Sequence, residues 1–300
     1  MLKIRYIFQK LSLIITAAFL LACGDDEVES VELRDVQTQL DEDDENLLTY
    51  LQTHFYNYED FQSNPTDYSI RIALDTLAGD NANKTPLIDH VDLKQVEVTN
   101  ADGDVINHKL YYIKVREGMG ERPSEVDSTY VRYTGNLLDG TEFEKRELPI
   151  WFDLPGVITG FRKGLPEFRT GSFTQNEDGT FDFFDYGQGI LFLPSGLAYY
   201  SRAQGNVPAY SPLIFTISLF TLKYTDHDGD GVLSRDEDLD GDGNAFNDDT
   251  DGDGTANMYD FDDDGDGVPT RDELDLDQNG IPGDSDGDGI PNHLDPDSAS

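Results

Sequence analysis

Cysteine and tryptophan each occur once in 300 residues, and positive charge is scarce: 21 lysines and arginines face 61 aspartates and glutamates, a net charge of −40. The single cysteine, Cys23, excludes an intramolecular disulfide, a CxxC redox pair and a multi-cysteine zinc site. The shortage of cations excludes nucleic acid as a partner, because so negative a chain is repelled by phosphate backbones. Only five histidines are present, without metal-site spacing, and Ser195 lies in Pro-Ser-Gly rather than Gly-x-Ser-x-Gly. Hydrolase chemistry therefore has little support. The apolar run Leu11 to Leu21 is shorter than the roughly 20 residues that span a bilayer.

Hydrophobic residues make up 37% of the chain, enough for about two folded units plus extensions. Charge is uneven: from Asp226 onward 26 acidic residues stand against Arg235 and Arg271 alone, which marks a separate acidic tail. At the other end Lys3, Arg5 and Lys10 precede the short apolar run and then Ala22-Cys23-Gly24, the order of an export signal. Leu20-Leu21-Ala22-Cys23 resembles the lipobox of bacterial lipoproteins. That resemblance implies removal of 1–22, a diacylglycerol on Cys23 and a membrane-anchored protein of the outer membrane, on its periplasmic face or at the cell surface. Residues 23–34, opening with Gly24-Asp25-Asp26-Glu27, read as an acidic tether.

Between residues 35 and 107 a small helix and strand segment is expected. Val36, Leu40, Leu47, Leu51 and Phe55 share a helical face, Asn64-Pro65 ends that pattern, and 68–72 and 91–98 read as short strands. From 108 to 225 the pattern is β, with strands at 110–115, 128–134, 149–154, 190–193 and 213–224. The last alternates Leu213, Phe215, Ile217 and Leu219. Phe161, Leu165 and Phe168 suit one short helix, shortened or kinked by Pro166. The fold class is α+β, a curved antiparallel sheet wrapped on one short helix.

Aromatic and apolar residues recur here in a set order: Tyr133-Thr134-Gly135, Gly140-Thr141-Glu142-Phe143, Phe152, Val157-Ile158-Thr159-Gly160-Phe161, Pro194 through Ala198-Tyr199, Val207-Pro208 and Phe215. The series describes a pocket without nucleophiles. It resembles the FKBP-type peptidyl-prolyl cis-trans isomerases over about 115 residues, 110–224. The resemblance implies that Tyr133, Phe143, Phe152, Val157, Ile158, Phe161, Val207 and Phe215 form an apolar cup for a proline ring. Tyr199 would donate its hydroxyl, and Ile158 its backbone N–H, to the substrate. No cofactor is expected for catalysis, and the implied partners are proline-containing polypeptides. The chain departs from the family at Glu144 (usually Asp), Phe161 (usually Trp), Tyr200 (usually Gly) and Ala209 (often Pro). It is also longer between Gly171 and Ile190, where the extra residues either extend the sheet, overhang the pocket or form a hairpin against the upstream segment.

The tail, 226–297, repeats Asp-x-Asp-x-Asp-Gly with a closing acid at position 12. The loops comprise Asp226, Asp228, Asp230, Val232 and Glu237; Asp238, Asp240, Asp242 and Asp249; Asp249, Asp251, Asp253 and Asp260; Asp262, Asp264, Asp266 and Glu273; Asp275, Asp277, Asn279 and Asp286; and Asp284, Asp286, Asp288 and Asp295. Hard oxygens at positions 1, 3, 5 and 12, a carbonyl at 7 and glycine at 6 are the ligand pattern of calcium. Loop starts only 9 to 13 residues apart leave no room for EF-hand helices. The tail resembles thrombospondin type 3 repeats, which implies an irregular rod stiffened by structural Ca²⁺. His227 and His293 are at non-ligand positions and are expected to face solvent. The leading functional expectation is a lipid-anchored extracytoplasmic prolyl isomerase. The alternatives are a non-catalytic chaperone holding proline-containing segments, and a calcium-dependent spacer or adhesion lipoprotein with a relic domain.

Overall fold

The computed structural model describes residues 33–100, 103–274, 276, 280 and 282–297. Cys23, with the rest of the expected signal and most of the tether, lies outside the described residues, as do Asp275, Asp277 and Asn279 of the fifth loop. The chain from Asp35 onward forms one compact unit.

Helix α1 (Val36–Thr53) starts where the Asp35 carboxylate accepts the Thr38 N–H at 2.8 Å, an N-cap that satisfies one of the helix's orphan donors. It leads into β1 (His54–Tyr56) and α2 (Tyr58–Ser63), which stops before Asn64-Pro65 as expected. The strand expected at 68–72 does not form. Its neighbourhood hydrogen-bonds to side chains instead: Arg116 takes the Asn64 and Asp67 carbonyls, both at 2.8 Å, and Gln188 takes that of Ile70 at 3.1 Å. The short strand β2 (Leu74–Thr76) pairs with β1 a few residues later.

The main sheet is antiparallel, with β3 (Asp92–Thr99), β4 (Val105–Arg116), β5 (Ser128–Leu137), β6 (Glu142–Lys145) and β7 (Ile150–Asp153) joined by two strands from further along the chain. The boundary expected at 107 falls inside β4, and β3 pairs with β4 along its whole length, Asp92 opposite Tyr112 through Thr99 opposite Val105. Strand β3 of the upstream segment is thus part of the main sheet, whereas β1 and β2 pair only with each other. Helix α3 (Thr159–Gly164) passes at Pro166 into a single 3-10 turn, 165–167, and Phe161, Leu165 and Phe168 are all buried. The insertion after Gly171 is a separate hairpin of β8 (Ser172–Gln175) and β9 (Phe181–Phe184), hydrogen-bonded to neither edge of the main sheet. Its Phe183 lies on Phe220 at 5.2 Å and Tyr130 at 5.7 Å.

Strands β10 (Gly187–Leu193) and β11 (Leu213–Lys223) complete the sheet in the order β3-β4-β10-β11-β5-β6, with β7 also on β5. Every residue of β10 is buried because both sheet faces are covered there. One face carries α3 and the aromatic series. The other carries Leu47, Leu51, Tyr56 and Phe61 of the upstream segment against Ile113, Ile190, Phe192 and Ile214. Tyr130 and Phe220 are on that second face, so the hairpin does not overhang the aromatic series.

Beyond β11 the chain is almost all loops, with α4 (Thr270–Glu273) its longest helix among the described residues. The start of the tail packs back on the sheet domain: Ala245 and Met258 bury Val126, Arg162 stacks on Phe246 at 4.5 Å, and Arg235 lies over Tyr224 at 4.6 Å. His227 and His293 are not solvent-facing as expected. His227 bonds Asp153 (3.2 Å) and Ser234 (2.7 Å), and His293 is buried, its basicity lowered by that burial.

Candidate functional site

Strand alternation assembles the cup. Along β5 the odd-numbered residues Thr129, Val131, Tyr133 and Gly135 point inward. The register sets Tyr133 beside Ile217 and Gly135 beside Phe215 on β11. From the β5 flank, β7 brings Phe152 and β6 brings Phe143, while α3 closes the floor with Phe161. The rings meet at 5.3 Å (Phe161–Phe215), 5.5 Å (Phe152–Phe161 and Tyr133–Phe152), 5.7 Å (Phe143–Phe215) and 5.8 Å (Tyr133–Phe161), mostly edge to face. Such geometry sets the positive ring edges against the negative faces. Gly135 leaves room for the rings: a Cβ there would lie 2.5 Å from Phe143 and 3.0 Å from Phe215.

Tyr133, Phe161, Val207 and Phe215 are buried. Phe143, Phe152, Val157, Ile158 and Tyr199 are half-buried against the same cluster, as the rim of a cup should be. Ile158 is the residue ahead of α3, so its N–H takes no part in the helix ladder. The Tyr133 hydroxyl is pushed up to about 12 by burial and then by the Glu144 carboxylate beside it. The Glu144 carboxylate itself pairs with Arg146 at 2.9 Å. Tyr199 is raised by burial and by the same carboxylate. Both phenols are protonated at neutral pH and able to donate. A cavity of 370 Å³ lies near the opposite side of β5, lined by Arg71, Arg132, Thr134, Thr216 and Ser218 among others. Its walls mix these charged and hydroxylated groups with Tyr50, Ile72 and Leu74.

The flap after the cup rests on a residue that sequence reading missed. Asp43 of α1, 1% exposed, accepts both the Ser195 N–H and its hydroxyl at 2.7 Å, and Gln39 at 2.8 Å. It thereby holds the turn 195–197 that leads to Ala198-Tyr199. Tyr200, standing where the family has glycine, keeps the left-handed backbone (φ 48°), donates its N–H to the Ser195 carbonyl and meets the Tyr210 ring at 5.2 Å. A left-handed non-glycine residue costs about 1–2 kcal/mol. Tyr200→Gly relieves that strain but loses the ring, whereas Tyr200→Ala keeps the strain and loses the ring as well. In matched urea melts the glycine variant is expected to be the more stable of the two by about 1 kcal/mol.

The tail loops share one hydrogen-bond scaffold. In the loops opened by Asp226, Asp249 and Asp284 the first aspartate accepts the N–H groups of positions 4 and 6. The third-position aspartate accepts the N–H of position 5, as Asp228, Asp240, Asp251, Asp264 and Asp286 all do. Glycines at positions 4 and 6 have positive φ throughout, for example 81° at Gly229 and 109° at Gly231. The first aspartates of those three loops thus use both carboxylate oxygens, whereas each third-position aspartate uses one. Asp228, Asp230, Asp262 and Asp264 each keep one buried oxygen without a hydrogen bond, and Glu237 and Glu273 keep both. Burial, with neighbouring carboxylates, raises Asp228 and Glu273 to about 7, Asp263 to about 8 and Glu237 to about 9. Orphaned carboxylate oxygens converging in glycine-turned loops fit a hard divalent cation. Val232, at position 7, is placed with its N–H on Asp230. Asp238, Asp242, Asp253, Asp260, Asp266, Asp288 and Asp295 also fall in the described loops.

The structure thus sets a cluster of aromatic rings between an antiparallel sheet and α3. The chain is similar to FKBP-type peptidyl-prolyl cis-trans isomerases over about two fifths of its length. It is 35% identical over 126 residues to the FkpA isomerase of Aeromonas hydrophila, covering 41% of each chain. It is 32% identical over 123 residues to the outer membrane protein MIP of Legionella longbeachae, covering 40% of this chain and 46% of that one. A solved peptidyl-prolyl isomerase from Pseudomonas syringae pv. tomato is 27% identical over 42% of this chain and 80% of its own, at a TM-score of 0.32, too low to carry an argument. The chain thus spans less than half the length of these curated relatives. In the tail, a family model described as BamM C-terminal matches residues 227–281.

Proposed function

We propose that this chain is a peptidyl-prolyl cis-trans isomerase of the FKBP type, anchored through a lipid on Cys23 at the outer membrane, acting on exported or surface polypeptides. The observation that carries the reading is the convergence of Tyr133, Phe143, Phe152, Phe161 and Phe215 on one apolar cup beside Tyr199. Rotation about an Xaa-Pro bond is slow because it must break amide resonance, a barrier of about 18–20 kcal/mol. The twisted amide has lost that resonance and much of its charge separation. A dry aromatic cup therefore favours it over the planar form more than water does, which lowers the barrier without a base or a nucleophile. On this reading the Tyr199 hydroxyl and the Ile158 N–H would hold the flanking carbonyls.

Among the described residues no helix is long and apolar enough to cross a bilayer. The tail loops are read as structural calcium sites, whose ions would neutralise the inward carboxylates and stiffen the loops. A protease-coupled isomerisation assay tests the enzyme. Tyr199→Phe is expected to lower kcat/KM about tenfold through one lost hydrogen bond. Phe152→Ala should lower it about a hundredfold through lost apolar contact. Activity that is absent in the wild type, or indifferent to both changes, rejects the reading in favour of a non-catalytic proline-binding chaperone.

A further inference from the structure

Asp263 occupies the second position of the loop opened by Asp262, a place that supplies no ligand to that loop. Its backbone N–H is held by the Thr270 hydroxyl at 3.0 Å, and its carboxylate approaches the first loop instead. One oxygen each from Asp230, Glu237 and Asp263 lie within 4.8 Å of one another. The three residues are 1%, 2% and 2% exposed. Asp230 Oδ2, Asp263 Oδ1 and both Glu237 oxygens have no hydrogen-bond partner. Arg271, next to Thr270, donates to the Gly229 carbonyl, which keeps the two loops in register.

Carboxylates do not gather in a buried space unless something positive sits among them. Oxygens bound to one calcium ion at 2.3–2.6 Å lie at most about 5 Å apart, which is the spacing found here. With no histidine or cysteine in the set, the donors select a hard, oxygen-seeking cation. We infer that the cation of the 226–237 loop is clasped across the tail, with Asp263 completing a site that Asp230 and Glu237 begin.

This inference rests on reading the tail as a calcium array, and it gives one ion a particular task. The clasp joins the start of the tail to its middle and closes the chain between 230 and 263. Within that closed stretch lie the groups that hold the tail to the sheet domain: Arg235, 3.7 Å from the buried Asp127, Phe246 under Arg162, and Met258 against Val126. The ion at this site thus pins the tail beside α3, the helix that carries Phe161.

Calorimetric titration of calcium chloride into the purified full chain, stripped with EGTA, separates the possibilities. Asp263→Asn is expected to weaken one site tenfold or more and leave the others as in the wild type. Asp288→Asn, at position 5 of the loop opened by Asp284, should remove a different site. In saturating calcium, Asp263→Asn should also admit protease between 238 and 260, where the wild type and Asp288→Asn resist. Combining Asp263→Asn with Glu237→Gln should weaken no further site, and near-ultraviolet circular dichroism of the sheet domain reports whether each variant is folded. A wild type that binds no calcium overturns the array and the clasp together. A wild type that binds calcium, beside an Asp263→Asn isotherm identical to it, overturns the clasp alone.

Discussion

Asp43→Ala is expected to lower the unfolding free energy by about 3 kcal/mol, and the proposed isomerase activity with it. The substitution leaves the Ser195 N–H and hydroxyl buried without their acceptor, and each stranded buried donor costs about 1–3 kcal/mol. Asp43→Asn retains an acceptor oxygen and is expected to cost under about 1 kcal/mol. The effect on activity follows from geometry, since Ser195 begins the turn that delivers Tyr199 to the cup rim. Urea melts and the isomerisation assay on the same samples check both parts. A loss of stability without a change in kcat/KM would detach Asp43 from the flap.

The same residue carries a pH signature. Burial raises its carboxyl above the ordinary 3.8, against the opposing hydrogen bonds from Ser195 and Gln39. A group whose folded pKa is raised favours the protonated folded state. Its contribution is complete below about 3.8 and is withdrawn as the pH climbs through the raised value. Wild-type stability measured relative to Asp43→Asn should therefore be greatest in acid, fall over that window and be level at neutral pH. Taking the difference removes the titration of the other 60 acidic residues.

Most of the sheet was legible because strands half-buried on one face alternate. The series Leu213, Phe215, Ile217, Leu219 places β11, and the inward residues of β5 include Tyr133 and Gly135 of the pocket series. Strand β10 extends three residues before the expected start, since Gly187-Gln188-Gly189 offers no apolar signal although the ladder runs through it. The joining of β3 to the main sheet was not legible, because pairing partners are set by tertiary packing and not by local pattern. Asp43 was hidden for a similar reason. It sits among Asp41, Glu42, Asp44 and Glu45, a run that reads as a solvated face, and its partner is 152 residues away. In the tail the strict glycine spacing made the loops readable one at a time. Reading ligands by position within a loop passed over Asp263, whose use is defined by the loop opposite. Of the alternatives for the insertion between Gly171 and Ile190, extending the sheet and overhanging the pocket both fail, because β8 and β9 pair only with each other and Phe183 finds Tyr130 and Phe220 on the far face.

Withdrawal of calcium is expected to have the largest effect of any treatment. Ions that bind the folded tail alone stabilise it by RT ln(1 + [L]/Kd), about 2.7 kcal/mol for each site at a hundredfold excess over Kd. Five loops with the shared scaffold then amount to on the order of 10 kcal/mol, comparable to the whole stability of an ordinary domain. Without ions, the inward oxygens of Asp228, Asp230, Glu237, Asp264 and Glu273 repel one another in buried surroundings, and protonation or unfolding is the only relief. In EGTA the tail should therefore lose protection from protease over 226–297 and melt separately from, and well below, the sheet domain. Added calcium should restore both, and magnesium only weakly, because its smaller octahedral shell fits these multidentate loops poorly. Scanning calorimetry with and without EGTA checks the shift. A single melt at one temperature in both conditions would mean that the loops hold their shape without ions, contrary to the charge they gather.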